Sequence, residues 1–202
     1  QGLLINSTTD SLFKNCRIWD IGQTRKTHAD HGVYVGGSAR NTYDGLMISN
    51  SPGGGIQFYA GDNFSIHTTD SVVRNCVFSE CRFGLILCGV QRLVVTNNTF
   101  HDSTQDDLYI DWSVQDNLFQ NNIFYNDRTA TQSTWGAPLI VAYQDNVFRE
   151  EGGRTVQTVK NNTFRNNLYW VTAVAAECSS DWQRRSITSF LAAENSGKER
   201  GN

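Results

Sequence analysis

Val95-Thr96-Asn97-Asn98-Thr99-Phe100 decides how this chain folds, because the same phrase keeps returning. An apolar residue and a polar one lead into Asn-Asn or Asn-Cys, one further residue follows, and Phe or Ile closes the unit. It reads Phe13-Lys14-Asn15-Cys16-Arg17-Ile18, Val73-Arg74-Asn75-Cys76-Val77-Phe78, Phe119-Gln120-Asn121-Asn122-Ile123-Phe124 and Val159-Lys160-Asn161-Asn162-Thr163-Phe164. Degenerate copies stand at Tyr43-Asp44-Gly45-Leu46-Met47-Ile48 and Gln144-Asp145-Asn146-Val147-Phe148. The units open at positions 15, 45, 75, 97, 121 and 145, in steps of 30, 30, 22, 24 and 24.

A second strand series interleaves with the first: Gly32-Val33-Tyr34-Val35, Gly55-Ile56-Gln57-Phe58, Gly84-Leu85-Ile86-Leu87, Asp107-Leu108-Tyr109-Ile110 and Pro138-Leu139-Ile140-Val141. Two series sharing one slightly variable period predict a solenoid, each repeat being one coil and loops absorbing the length changes. Helical segments between the strands, which a βαβ fold needs, are missing. The spacing predicts interior ladders of Val33, Ile56, Leu85, Leu108 and Leu139, of Val35, Phe58, Leu87, Ile110 and Val141, and of Ile18, Ile48, Phe78, Phe100 and Phe124. The Asn opening each unit suits a sharp bend, because Asn tolerates the left-handed region. Stacked Asn side chains can also hydrogen-bond along a ladder. The sequons at Asn97 and Asn161 follow from that motif and are not read as glycosylation sites.

Composition agrees with many short strands. Gly, Asn, Ser and Thr are abundant, Pro occurs only twice, and β-branched and aromatic residues come in bursts. At 202 residues the chain suffices for one domain, 1–202, with a less regular segment over 171–202. The net charge of -3 gives no electrostatic case for nucleic acid or an anionic membrane. No apolar run reaches the roughly 20 residues that span a bilayer. Five cysteines cannot all pair. Cys16 and Cys76 share a register two coils apart, about 9–10 Å, beyond the roughly 7 Å reach of a disulfide, so both are expected as small buried hydrophobes. Cys81 and Cys88 flank one strand and are expected on different sides of it.

The segments Asp30-His31-Gly32-Val33-Tyr34-Val35-Gly36-Gly37 and Gly53-Gly54-Gly55-Ile56-Gln57-Phe58-Tyr59, together with the Asn-Asn-x-Phe units, resemble the right-handed parallel β-helix proteins of the pectin lyase-like superfamily. The closing Asn161–Trp170 stretch is like bacterial members of the group. The resemblance covers residues 1 to about 170. It implies an all-β, single-stranded right-handed parallel β-helix, here of about six to seven coils with little helix. Polysaccharide lyases, glycoside hydrolases, uronan epimerases, tailspikes and adhesins share that fold, so fold does not choose among them. The family implies a secreted or periplasmic setting, though free cysteines also suit the cytoplasm. Relatives carry an N-terminal helical cap that is not evident here. The reading that follows is association into a homo-oligomer through open ends, or a fragment.

The residues left outside the repeat are the candidates for chemistry. Loops ahead of the second-series strands carry Arg25, Lys26, His28, Asp30 and His31, then Glu80 and Arg82, then His101, Asp102, Asp106 and Asp107, with Asp111 after the strand. Stacked coils would align them on one rim beside the outward Tyr34, Gln57 and Tyr109, a groove suited to an acidic polysaccharide. Lyase or epimerase chemistry needs a base and a cation beside a uronate carboxylate. His31, Arg82, Asp102 and Asp106 are the catalytic candidates, with Tyr34, Gln57, Tyr109, Arg25 and Lys26 as substrate contacts. Asp106, Asp107 and Asp111 could hold Ca2+ through oxygen ligands. Hydrolysis would instead need two carboxylates from the 102–111 cluster. Each residue also has a plainer role: His31 as a cap on the turn into the next strand, Asp106 and Asp107 as acceptors of turn amides, Arg82 as partner of Glu80. A non-catalytic binding or assembly module is the alternative reading. Convergence of His31, Arg82 and residues 102–111 on one groove separates the two.

Overall fold

A residue in the left-handed region marks each corner of the chain. In the first coil these are Ser7, Asp10, Asn15 and Asp20; in the second Gly37, Arg40, Gly45 and Asn50; in the fourth Gly89, Arg92, Asn97 and Asp102. The intervals are three, five and five residues each time, so these three coils share the same spacing from their first corner to their last. The computed structural model describes residues 1–22, 29–59, 66–110, 113–126, 140–142, 150–151, 154–155, 159, 161–171, 176–178 and 184–185. Among them all regular structure is strand.

Between corners run short strands that stack in parallel on their equivalents in neighbouring coils. Sheet A contains Leu3–Asn6, Val33–Gly36, Gly54–Tyr59, Phe83–Leu87, Asp106–Ile110, Ile140–Ala142 and Ala176–Cys178, with Arg184–Arg185 added antiparallel. Sheet B is four two-residue strands, from Ser38–Ala39 to Val114–Gln115. Sheet C runs from Leu12–Lys14 to Thr163–Arg165 and sheet D from Arg17–Trp19 to Leu168–Val171, six strands each. The parallel β-helix expected from the repeat is thus present, with seven strands from successive coils in sheet A.

The side chains alternate as strand geometry requires. Val33, Ile56, Leu85 and Leu108 line one interior row, and Val35, Phe58, Leu87 and Ile110 the next, all buried. From sheet D come Ile48, Phe78, Phe100 and Phe124, whose rings stack at 4.9 and 4.8 Å. Sheet C adds a row the sequence reading did not separate, in which Phe13 stacks on Tyr43 at 5.3 Å and Phe119 on Phe164 at 4.5 Å.

The doubled Asn has two jobs. The first Asn of each pair takes the left-handed conformation and is exposed; the second is buried and bonds to its equivalents above and below. Two corners use the device, which corrects the reading of one phrase in one register. Asn97-Asn98 and Asn121-Asn122 turn from sheet C into sheet D, where Asn166-Asn167 continues the column. Asn161-Asn162 instead stands beneath Asp116-Asn117, at the corner from B into C. The sixth coil therefore follows the fifth after 45 residues rather than 24, and the degenerate copy at 144–148 lies outside the described residues. At the B–C corner the left-handed positions alternate in charge, Asp10, Arg40, Asp70, Arg92, Asp116. Arg40 grips Asp10 through two nitrogens at 2.7 Å, and Arg92 grips Asp70 in the same way. These guanidinium groups hold both carboxyls below the usual carboxylate range.

Two further expectations change. Ile140, not Leu139, pairs with Leu108, and Val141 pairs with the outward Tyr109; a one-residue shift of register exchanges the faces of a strand. Cys16 is exposed, whereas Cys76, Cys81 and Cys88 are all buried. Burial pushes the Cys76 thiol up to about 11 and Cys81 to about 12, which makes both inert packing groups.

Candidate functional site

Chain length varies where coils enter and leave sheet A. The corner from D into A holds residues 20–32 in the first coil but only 50–53 in the second. Its left-handed residues Asp20, Asn50, Glu80 and Asp102 form a column, one per coil. Asn50 donates its backbone N–H to Ser79 and Glu80 donates to His101, at 3.1 and 3.0 Å, which fixes the stacking. The Nδ2 of Asn50 donates to Asp20 at 2.7 Å. Asp20, Asn50 and Glu80 are exposed, and they open onto a cavity of about 330 Å3 that Ile21, Ser51, Pro52 and Thr104 complete. Asp20 and Glu80 stand two coil steps apart, roughly 9–10 Å between backbones. Two carboxylates, an amide and the Thr104 hydroxyl against an apolar wall of Ile21 and Pro52 can accept and donate hydrogen bonds to a polyhydroxylated ligand, while the buried Ser51 hydroxyl is held by the carbonyls of Asp30 and Gly54.

The sequence-derived candidates lie on the adjoining sheet A side of this corner. His31, Gly54, Phe83 and Asp106 form one row across four coils, as the pairings of Gly54 with Phe83 and Phe83 with Asp106 show. His31 and Asp106 are therefore three coil steps apart, about 14 Å. His31 is 4 % exposed, and its Nδ1 accepts the backbone N–H of Gly54 at 2.6 Å. Its ring lies 5.9 Å from that of Tyr34. Arg82 does not pair with Glu80: its Nε donates to Gln105 at 2.8 Å and its guanidinium lies 5.2 Å from the Phe83 ring centre. Asp102 places its Oδ2 3.3 Å from Nε2 of His101.

Asp106 and Asp107 are fully buried. The backbone N–H of Ser103 donates to Asp107 Oδ1 at 3.4 Å, and burial pushes this carboxyl well above the usual range. A carboxyl held in its neutral form is a poor calcium ligand. Among the described residues no three His, Cys, Asp or Glu side chains gather as a metal site. Tyr34, Gln57 and Tyr109 do share the outward face of sheet A, half-buried, with Tyr59 6.0 Å from Tyr34 and Phe83 5.3 Å from Tyr109. Arg25, Lys26, His28 and Asp111 lie outside the described residues. Trp170 projects outward from a strand of sheet D.

The sequence reading missed Asp20 and Asn50, and placed Glu80 on the rim without giving it a ligand contact. A signal was present: each lies five residues after the corner residue 15, 45 or 75, a spacing as regular as the repeat itself.

A search of the curated proteins returns no match. Among solved structures, the chain superposes on the C387A mutant of DFA-IIIase from Arthrobacter chlorophenolicus A6 in complex with DFA-III, with a TM-score of 0.52 and 16% sequence identity. The superposition covers 94% of this chain and 47% of that one, so the chain spans about half the length of this neighbour. At that identity the likeness concerns the fold. The right-handed β-helix region family matches residues 1–180. With its parallel sheets, asparagine columns and repeating corners accounted for coil by coil, the chain belongs to the right-handed β-helix family.

Proposed function

We propose that the protein binds a saccharide along the corner between sheets D and A. The observation that carries this reading is the cavity in which Asp20, Asn50 and Glu80 stand in column beside Ser51 and Thr104. Carboxylate and amide oxygens in line suit the vicinal hydroxyls of successive sugar rings, and the volume of about 330 Å3 suits a small ligand or one ring of a chain. The fold neighbour crystallised with DFA-III, a saccharide, adds support.

An acidic polysaccharide would bring its carboxylates against Asp20 and Glu80, so a uronate chain requires Ca2+ to bridge them, whereas a neutral chain does not. The arrangement favours binding over lyase chemistry, because Nδ1 of His31 already accepts a backbone hydrogen bond and Arg82 already holds Gln105. Isothermal titration with neutral and uronate oligosaccharides, each with and without Ca2+, tests the reading. Binding that falls at least tenfold in Glu80→Gln and Asp20→Asn supports it. Affinity unchanged in both variants, or release of unsaturated uronate products blocked by His31→Gln, overturns it.

A further inference from the structure

Sheet D exposes an apolar face that nothing described so far uses. Among the described residues seven large apolar side chains are exposed, and five of them, Trp19, Met47, Ile123, Leu168 and Trp170, project from this one sheet. Large apolar side chains gathered at both ends of one sheet face mark it as a candidate interaction surface. The outward positions form two columns of six, one from Arg17 to Leu168 and one from Trp19 to Trp170. Arg17 is the one Lys, Arg, Asp or Glu in them, and it sits at the end of its column. The face is not built for a sugar ring. His101 and Tyr125 stack on each other at 5.1 Å and 7°, so they present edges outward and cover the faces on which a saccharide would lie.

The order of sizes along the columns points to a second copy of the same chain. In the second column Ser49 and Ser79 are followed by His101 and Tyr125, small residues in one half and large rings in the other. A two-fold axis parallel to the strands, passing between the third and fourth coils, lays the face on its own reversed image. Ser79 then meets His101 of the other copy and Ser49 meets its Tyr125, so that rings fill the gaps left by serines. In the first column Met47 meets Ile123, apolar on apolar, and at both ends Trp19 meets Trp170. Such isologous matching is what a two-fold interface requires. The face is about 24 Å long, six coils at the strand spacing. Two such faces would bury on the order of 1,000 Å2 in total, the lower limit for a specific interface.

We infer that the protein forms a weak two-fold dimer through the outer face of sheet D, with Met47 of each copy against Ile123 of the other. Within one chain Met47 and Ile123 are three coil steps apart, about 14 Å, so they interact only across such an interface. Sedimentation velocity of the whole chain between about 1 and 100 μM tests this, with circular dichroism to confirm folding. A monomer–dimer equilibrium is expected in the wild type. Met47→Glu and Ile123→Lys should each weaken it at least tenfold. The double variant should recover it, because the new carboxylate and ammonium face each other between copies. A wild type monomeric throughout the range, single variants that dimerise as before, or a double variant that stays monomeric each overturns the inference. Association that grows beyond two copies, as stacking through coil ends would give, does the same.

Discussion

The Oδ1 of Asn122 receives two hydrogen bonds from Asn98 one coil above, from its backbone N–H and from its Nδ2, each at 3.0 Å. The Nδ2 of Asn122 in turn donates to the carbonyl of Val95 at 2.9 Å and to Asn167 at 3.0 Å. One side chain thus satisfies backbone groups from two strands at a corner where strand pairing stops. Asn122→Ala should therefore cost about 2–5 kcal/mol, since it orphans a buried N–H and a buried carbonyl. Its neighbour Asn121 is exposed at φ 55°, so Asn121→Ala should cost only about 1–2 kcal/mol of left-handed strain, and Asn121→Gly less. Urea denaturation of the three variants measures this, and equal losses at 121 and 122 would contradict the division of labour.

Glycines 32, 55 and 84 occupy one row at the start of successive sheet A strands and make a similar contrast with Gly37. A Cβ at Gly55 would stand 2.6 Å from the carbonyl oxygen of Gly84 and 2.6 Å from the Phe78 ring. Neither backbone nor stacked ring can yield without moving a neighbouring coil. Gly37, at φ 54°, has nothing within 4 Å. Gly55→Ala should lower stability by about 3 kcal/mol or more, in the range of severe core overpacking, while Gly37→Ala should lose only about 1 kcal/mol. Thermal unfolding of both variants separates steric from conformational cost.

At the next position of this row the glycine is replaced by Asp107. Burial raises the Asp107 carboxyl well above its ordinary value, so the folded state holds a proton that the unfolded chain releases at about pH 4. Stability from this group is complete below about pH 4 and declines as pH rises toward its folded pKa, by about 1.4 kcal/mol per pH unit. The carboxyls of Asp10, Asp44 and Asp70 are shifted downward by Arg40, by Asn75 with Arg74, and by Arg92. Their contribution is present above about pH 4 and lost below it, a separate window. Asp107→Asn should remove that decline between about pH 4.5 and neutrality, and leave the acid limb unchanged. A wild-type stability already flat over that window would show that Asp107 is ionised in the fold.

The fold was legible because coil packing dictates residue type at nearly every position. Val33, Ile56, Leu85 and Leu108 had to be apolar at a shared spacing, and they are buried in one row. Reading Asn161 in the register of Asn121 failed for a physical reason: both corners need the same left-handed residue followed by the same buried amide, so the local phrase is identical at each. The slip at Leu139 and Ile140 arises because a continuous apolar run carries no alternation to fix its face. The candidate site was harder to read. His31, Arg82 and Asp106 lie on one side of one corner, but sequence does not disclose burial, and it is burial and the Gly54 bond that define what His31 does. Asp20 and Asn50 went unseen because an exposed polar corner residue looks like any left-handed turn.

His31 provides the sharpest test of where the function sits. Its imidazole is buried and holds the backbone N–H of Gly54 through Nδ1, and Gly54 is itself buried at the start of a sheet A strand. His31→Ala removes the acceptor and should cost about 1–3 kcal/mol through the orphaned amide. If the ligand lies in the cavity of Asp20, Asn50 and Glu80, saccharide affinity of the folded variant should stay within about twofold of wild type, a change in binding of less than about 0.5 kcal/mol. Calorimetric titration below the unfolding transition reads the affinity, and chemical denaturation reads the stability. Loss of binding with stability retained would move the site from the D–A corner onto the outward face of sheet A, beside Tyr34 at 5.9 Å from the imidazole.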